Sequence, residues 1–220
     1  MDLFAQMDVY CERTDLSFWA EPLNAISNAA FIMAALGMVW RLRGSGLVGG
    51  YLLASILAAI GVGSFLFHTF ATTWALLADV VPIGIFILVY LFLVTRDFLG
   101  MPVWGAALAT AGYLPYAALV TPFFNALPFF EISNFYWTVP LLIFAVSFAV
   151  RRRSPITAQG MVLGAAVLCV SIAVRSLDIT LCKTIPIGTH ILWHIFNGVM
   201  LGWMIEVYRR HMVGNAPVTG

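Results

Sequence analysis

Residues 189–198 read THILWHIFNG, and within them His190 and His194 stand four apart. Four residues is about one helical turn, so the two imidazoles point the same way. The surrounding residues are apolar, and an ionisable side chain inside an apolar span is by default a functional candidate. The H-x-x-x-H pair lacks the glutamate of a zincin helix, because Ile191 stands in its place. A metal held here needs a third ligand and a base from other helices.

Two further segments offer them. SFLFH at 64–68 places Ser64 and His68 one turn apart, and Asp79 follows eleven residues after His68. Three histidines with an open fourth position form a catalytic zinc site of the carbonic anhydrase ligand type. Asp79 is the candidate base and Ser64 the candidate hydrogen-bond donor to a developing oxyanion. The plainer readings are histidines bonded across helices and a serine bonded to its own helix.

The elements that must position these residues are membrane spans. The 220 residues are 62% hydrophobic and 10% charged, against roughly 25% charge in a soluble domain. Composition therefore predicts an all-α polytopic membrane protein. Segments of about 20 apolar residues give a bundle of seven transmembrane helices: Ala20–Trp40, Leu47–Phe67, Trp74–Val94, Val103–Val120, Ile132–Val150, Ala158–Val174 and Pro186–Val207. The short connections make residues 1–220 a single domain, with residues 1–19 as an acidic outer segment and residues 208–220 as a cytoplasmic tail. His211 falls in that tail, where solvation is expected. The start of the chain carries Asp2, Asp8, Glu12, Arg13 and Asp15 and does not read as a secretory signal. A net charge of +1 gives no sign of nucleic acid binding.

Seven spans put the termini on opposite faces. Arg41, Arg43, Arg96, Arg151, Arg152, Arg153, Arg209 and Arg210 fall on one side, and Arg13, Arg175 and Lys183 on the other. The positive-inside rule then predicts a cytoplasmic C-terminus and an outside N-terminus. In that arrangement His68 lies at the outer end of its span. Asp79 lies about 8 Å into the third span, and His190 and His194 about 6 and 12 Å into the seventh. Three helices thus bring these polar residues to similar depth.

The outer side holds other signals. Asp8, Glu12, Asp15 and Glu21 form an acidic cluster, a candidate site for Ca²⁺ with its preference for hard oxygen ligands or simply a solvated tail. Cys11 and Cys182 also fall outside, where an oxidising compartment permits a bridge; their separation in space is not readable from sequence.

Taken together, YCER at 10–13, EPLNAISN at 21–28, GSFLFHTF at 63–70 with Asp79, LDITLC at 177–182 and THILWHIFNG at 189–198 resemble the alkaline ceramidase family. That family sits among seven-span hydrolases that include adiponectin-receptor-like proteins. The resemblance implies zinc held by His68, His190 and His194, with Ser64 and Asp79 beside it. It also implies Ca²⁺ near the N-terminus and a Cys11–Cys182 disulfide. The chain departs from the family pattern at Tyr10, where the family has tryptophan, and at Thr14 and Asp15, where it has an asparagine.

The implied activity is hydrolysis of a ceramide-like lipid amide to a sphingoid base and a fatty acid. Another lipid ester or a phospholipid is the alternative substrate, and a non-enzymatic seven-helix receptor or metal carrier the alternative class. A retinal protein is disfavoured because the single lysine, Lys183, lies between spans. A metal carrier is disfavoured because the seventh span offers only Asn197 between His194 and Glu206.

Overall fold

The computed structural model describes residues 2–214, so the last residues of the expected tail, 215–220, lie outside the described residues. The described chain is helical, with one isolated bridge between Gln6 and Thr72. Its helices are α1 (Pro22–Ser27), α2 (Ala29–Arg41), α3 (Val48–Phe70), α4 (Thr73–Asp97), α5 (Val103–Ala111), α6 (Tyr113–Asn125), α7 (Thr138–Val150), α8 (Pro155–Ser176), α9 (Asp178–Leu181) and α10 (His190–Gly214).

Six stretches among the described residues are long and apolar enough to cross a membrane: Pro22–Arg41, Val48–Phe70, Thr73–Asp97, Val103–Asn125, Pro155–Ser176 and His190–Gly214. Such a set fits a multi-pass membrane protein. The seventh expected span, Ile132–Val150, is helical only as the 13-residue α7. At 1.5 Å per residue that is about 20 Å, less than the roughly 30 Å hydrocarbon core. Its first residues instead form a 3₁₀ turn at Phe130–Ser133. Polar ties hold that turn, because Ser133 Oγ accepts from Arg175 at 2.8 Å and from Ser176 Oγ at 2.9 Å.

Three boundaries differ from the hydropathy reading for local reasons. The first span is divided at Asn28, whose side chain donates back to the Asn24 carbonyl at 2.9 Å. The last helix begins at His190 rather than Pro186, because Gly188 sits at φ 69° and turns the chain immediately before it. That helix continues to Gly214 rather than ending at Val207. Within it His211 is buried, not solvated, with Nδ1 3.0 Å from Thr157 Oγ1 and its ring 4.1 Å from that of Phe98.

The core lies between α2, α3, α4, α8 and α10, where Phe31, Leu53, Leu57, Ile60, Ile172 and Ile205 are buried. Small residues set the close approaches. A Cβ on Gly63 would collide with the Ala78 carbonyl, so glycine lets α3 and α4 touch backbone to backbone. Gly198 does the same for α10 against Ala30.

Candidate metal centre

His68 ends α3, and His190 and His194 occupy the first turns of α10. All three are buried, and their candidate ligand atoms lie within 4.8 Å of one another. The ring centroids of the three pairs are 4.6 to 5.1 Å apart.

The hydrogen bonds around the cluster orient its rings. Glu21 Oε2 lies 2.6 Å from His68 Nδ1, which holds the ring with Nε2 turned into the cluster. Ser27 Oγ donates to the Asn24 carbonyl at 2.8 Å, which commits the hydroxyl proton. Ser27 therefore accepts from His194 Nδ1 at 2.7 Å, which leaves the His194 Nε2 lone pair for the cluster. These two Nε2 atoms face each other at 3.1 Å. That distance suits one proton or one metal ion shared between the two nitrogens. The spacing is close to the roughly 3.3 Å between nitrogens on a tetrahedral zinc with 2.0–2.1 Å bonds. His190 Nδ1 adds a buried nitrogen with no hydrogen-bond partner. The donor set therefore fits a metal ion, and three imidazoles fit zinc.

α4 brings Asp79 to the same place. Ser64 and Asp79 line one apolar cavity with Phe31, Tyr136, Trp193 and Asn197, and Ser64 interacts with the Asp79 carboxyl. Asn197 Nδ2 is buried without a hydrogen-bond partner. Ile87, Val139, Met200 and Leu201 continue from this cavity into a second apolar one bounded by Phe86, Tyr90 and Met204. Two adjoining apolar cavities thus lie between α4, α7 and α10, the first of them at Ser64 and Asp79.

The N-terminal segment covers the site, with Tyr10 packed on His68 and His190. Cys11 and Cys182 are joined by a disulfide, with their Cα atoms 5.5 Å apart. This anchors Tyr10, whose ring stacks on His190 at 3.7 Å. Burial raises the Tyr10 hydroxyl above its ordinary pKa, so it is a neutral phenol. Arg175 interacts with that hydroxyl and with Asp79, and its guanidinium lies over the rings of Tyr136 and Trp193.

A family model described as Ceramidase matches residues 7–215. The chain belongs to the ceramidase family. No match was found among curated proteins. Ceramidase membership implies a hydrolase of lipid amides, and the matched stretch contains every residue of the site described above.

Not all the expected site residues converge. The four acidic residues of the N-terminal segment do not gather into a metal-binding set among the described residues. Glu21 is turned toward His68 and Arg13. Both Glu12 oxygens accept backbone N–H groups, from Leu23 at 2.7 Å and Asn24 at 2.8 Å. Asp15 Oδ1 accepts from Ser17 N at 2.7 Å, and Asp8 is exposed.

Conversely, sequence reading missed Tyr10, Ser27, Arg175, Asp178 and Asn197 as parts of this ceramidase site. A signal existed for Asn197, three residues beyond His194 and so on the same helix face. Arg175 fell just beyond the expected span Ala158–Val174, and only the extension of α8 to Ser176 places it at a helix end. Ser27 and Asp178 lie inside the stretches EPLNAISN and LDITLC, but their bonds to His194 and His190 are not legible there because those partners are distant in the chain.

Proposed function

We propose that the protein is a zinc-dependent amidohydrolase that cleaves ceramide-like lipids to a sphingoid base and a free fatty acid. The observation that carries this reading is the buried convergence of His68, His190 and His194, with His68 Nε2 and His194 Nε2 3.1 Å apart and His68 in electrostatic contact with Asp79, which lines an apolar cavity with Ser64.

His68, His190 and His194 would hold the metal. Zinc, when bound, supplies Lewis acidity: it lowers the pKa of water and polarises a carbonyl. The remaining chemistry belongs to the protein. The Asp79 carboxylate accepts the proton of the attacking water and returns it to the amide nitrogen as the C–N bond breaks. Ser64 Oγ–H donates to the carbonyl oxygen as negative charge develops there. Asn197, with its free amide donor in the same cavity, holds a polar group of the substrate. The apolar walls take an alkyl chain and keep bulk water from the site. One amide and one water give one amine and one acid.

The orientation belongs to the same reading. With α7 counted as a crossing, the eight-to-three division of basic residues supports a cytoplasmic C-terminus. The histidines then open toward the outer leaflet.

The test is turnover. Purified protein should release sphingoid base from ceramide and leave an ester phospholipid intact; the reverse result would move it to the alternative substrate class. Asp79→Asn, compared at equal zinc occupancy, should lose on the order of 10²-fold or more in turnover. Near-normal turnover would remove Asp79 from the mechanism.

A further inference from the structure

The N-terminal acidic cluster raises the question of where its cation is. The carboxylates of Glu12, Asp15 and Glu21 that a hard metal would take already accept hydrogen bonds, and the unpartnered oxygens beside them, Asn24 Oδ1 and Asn28 Oδ1, are neutral amides. Arg13 is buried, and its Nε donates to Glu21 Oε1 at 2.6 Å. Its Nη1 donates to the Asp15 carbonyl and its Nη2 to the His68 carbonyl, both at 3.1 Å. One guanidinium therefore fills a carboxylate and two backbone carbonyls. Glu12 and Asp15 meanwhile spend their carboxylates on backbone N–H groups. A calcium ion needs 6–8 oxygens at 2.3–2.6 Å. To find them here it would have to displace a buried, permanently charged side chain. The residues present do not fit calcium.

We infer that Arg13 is the resident cation of this end of the molecule, and that it positions the metal ligand His68 without a second metal. This rests on His68 being a ligand in the proposed zinc site. The geometry gives Arg13 two grips on that residue. Through Glu21 it fixes the ring, because the neutralised carboxylate accepts His68 Nδ1–H and aims Nε2 at His194. Through Nη2 it holds the His68 backbone carbonyl. Asn24 Nδ2 donates to Glu21 Oε2 at 3.1 Å and completes the clamp. A guanidinium suits the role because it stays charged and its fork is rigid. Carboxylate partners of ligating histidines tune metal affinity by about 10–100-fold, and Arg13 acts through such a partner.

The experiment uses the full chain in detergent or nanodiscs and two readouts besides activity. The first is the melting temperature of the wild type in millimolar calcium chloride against a calcium chelator. No shift is expected. Stabilisation by calcium would overturn the inference, because it would reveal a resident calcium site. The second is zinc retention against a competing chelator. Arg13→Met should lose zinc about 10–100-fold more readily than wild type. Arg13→Lys, which keeps the charge but not the fork, should fall between the two. Wild-type retention in Arg13→Met would also overturn it. If Arg13→Met fails to fold, the wild-type calcium titration decides. A wild-type protein without zinc contradicts the hydrolase reading instead, and the calcium titration still tests Arg13 as the resident cation.

Discussion

Asp178 Oδ1 accepts the backbone N–H of His190 at 2.9 Å. The same oxygen takes Thr189 N–H at 2.6 Å, and Oδ2 takes Cys11 N–H at 2.9 Å. One buried carboxylate thus caps α10 at the first residue of the histidine cluster, and ties that end to the disulfide. Gly188 makes the contact possible, since a Cβ there would strike Asp178 and Cys11. Removing a capping carboxylate costs about 1 kcal/mol, and leaving three buried donors unpaired adds to that. Asp178→Ala is therefore expected to lower the melting temperature and the zinc content together. Asp178→Asn should be milder, because its amide oxygen still accepts. Unchanged zinc content in Asp178→Ala would separate the cap from the metal site.

The pairing of Ser64 with Asp79 depends on how closely α3 and α4 approach. Gly63→Ala inserts a methyl group against the Ala78 carbonyl, one residue from each partner. Overpacking of this kind costs about 1–3 kcal/mol, and here it also pushes Asp79 away from Ser64. Reduced thermal stability and reduced turnover are expected. Gly84→Ala is the control, because nothing lies within 4 Å of its added Cβ. Equal behaviour of the two variants would contradict the close-packing account.

The three-histidine set was legible because its signals are local: a four-residue spacing on one helix, and a matching depth on another. What surrounds the histidines was not. Glu21 reads as one acid among several, and only the packing of α1 against α3 turns it onto His68. Arg175 reads as a loop charge, yet α8 runs to Ser176 and carries it into the aromatic cluster. Hydropathy located the spans but not their ends, which are set by side-chain bonds at Asn28 and Ser133 and by the left-handed turn at Gly188. The short α7 illustrates the limit. Ile132–Trp137 is apolar enough to continue the helix, but Ser133 is held by Arg175 and Ser176 from another element.

The orientation is open to direct measurement. In sealed right-side-out vesicles a membrane-impermeant thiol reagent should label Ser17→Cys, in the N-terminal segment, at once. It should reach Arg152→Cys, between α7 and α8, only after permeabilisation. Labelling in the opposite order would invert the topology and place the histidines near the cytoplasmic face.

The central claim is that His68, His190 and His194 hold one zinc ion that hydrolysis requires. The most direct measurement is the zinc content of purified wild type and of His190→Ala, alongside sphingoid-base release from ceramide by the same samples. His190 Nδ1 has no hydrogen-bond partner to lose, so this variant should still fold and insert. The account predicts about one zinc per wild-type chain, as a single three-imidazole site requires, with loss of both metal and turnover in His190→Ala. Near-stoichiometric zinc in His190→Ala, or full turnover without it, would contradict the account.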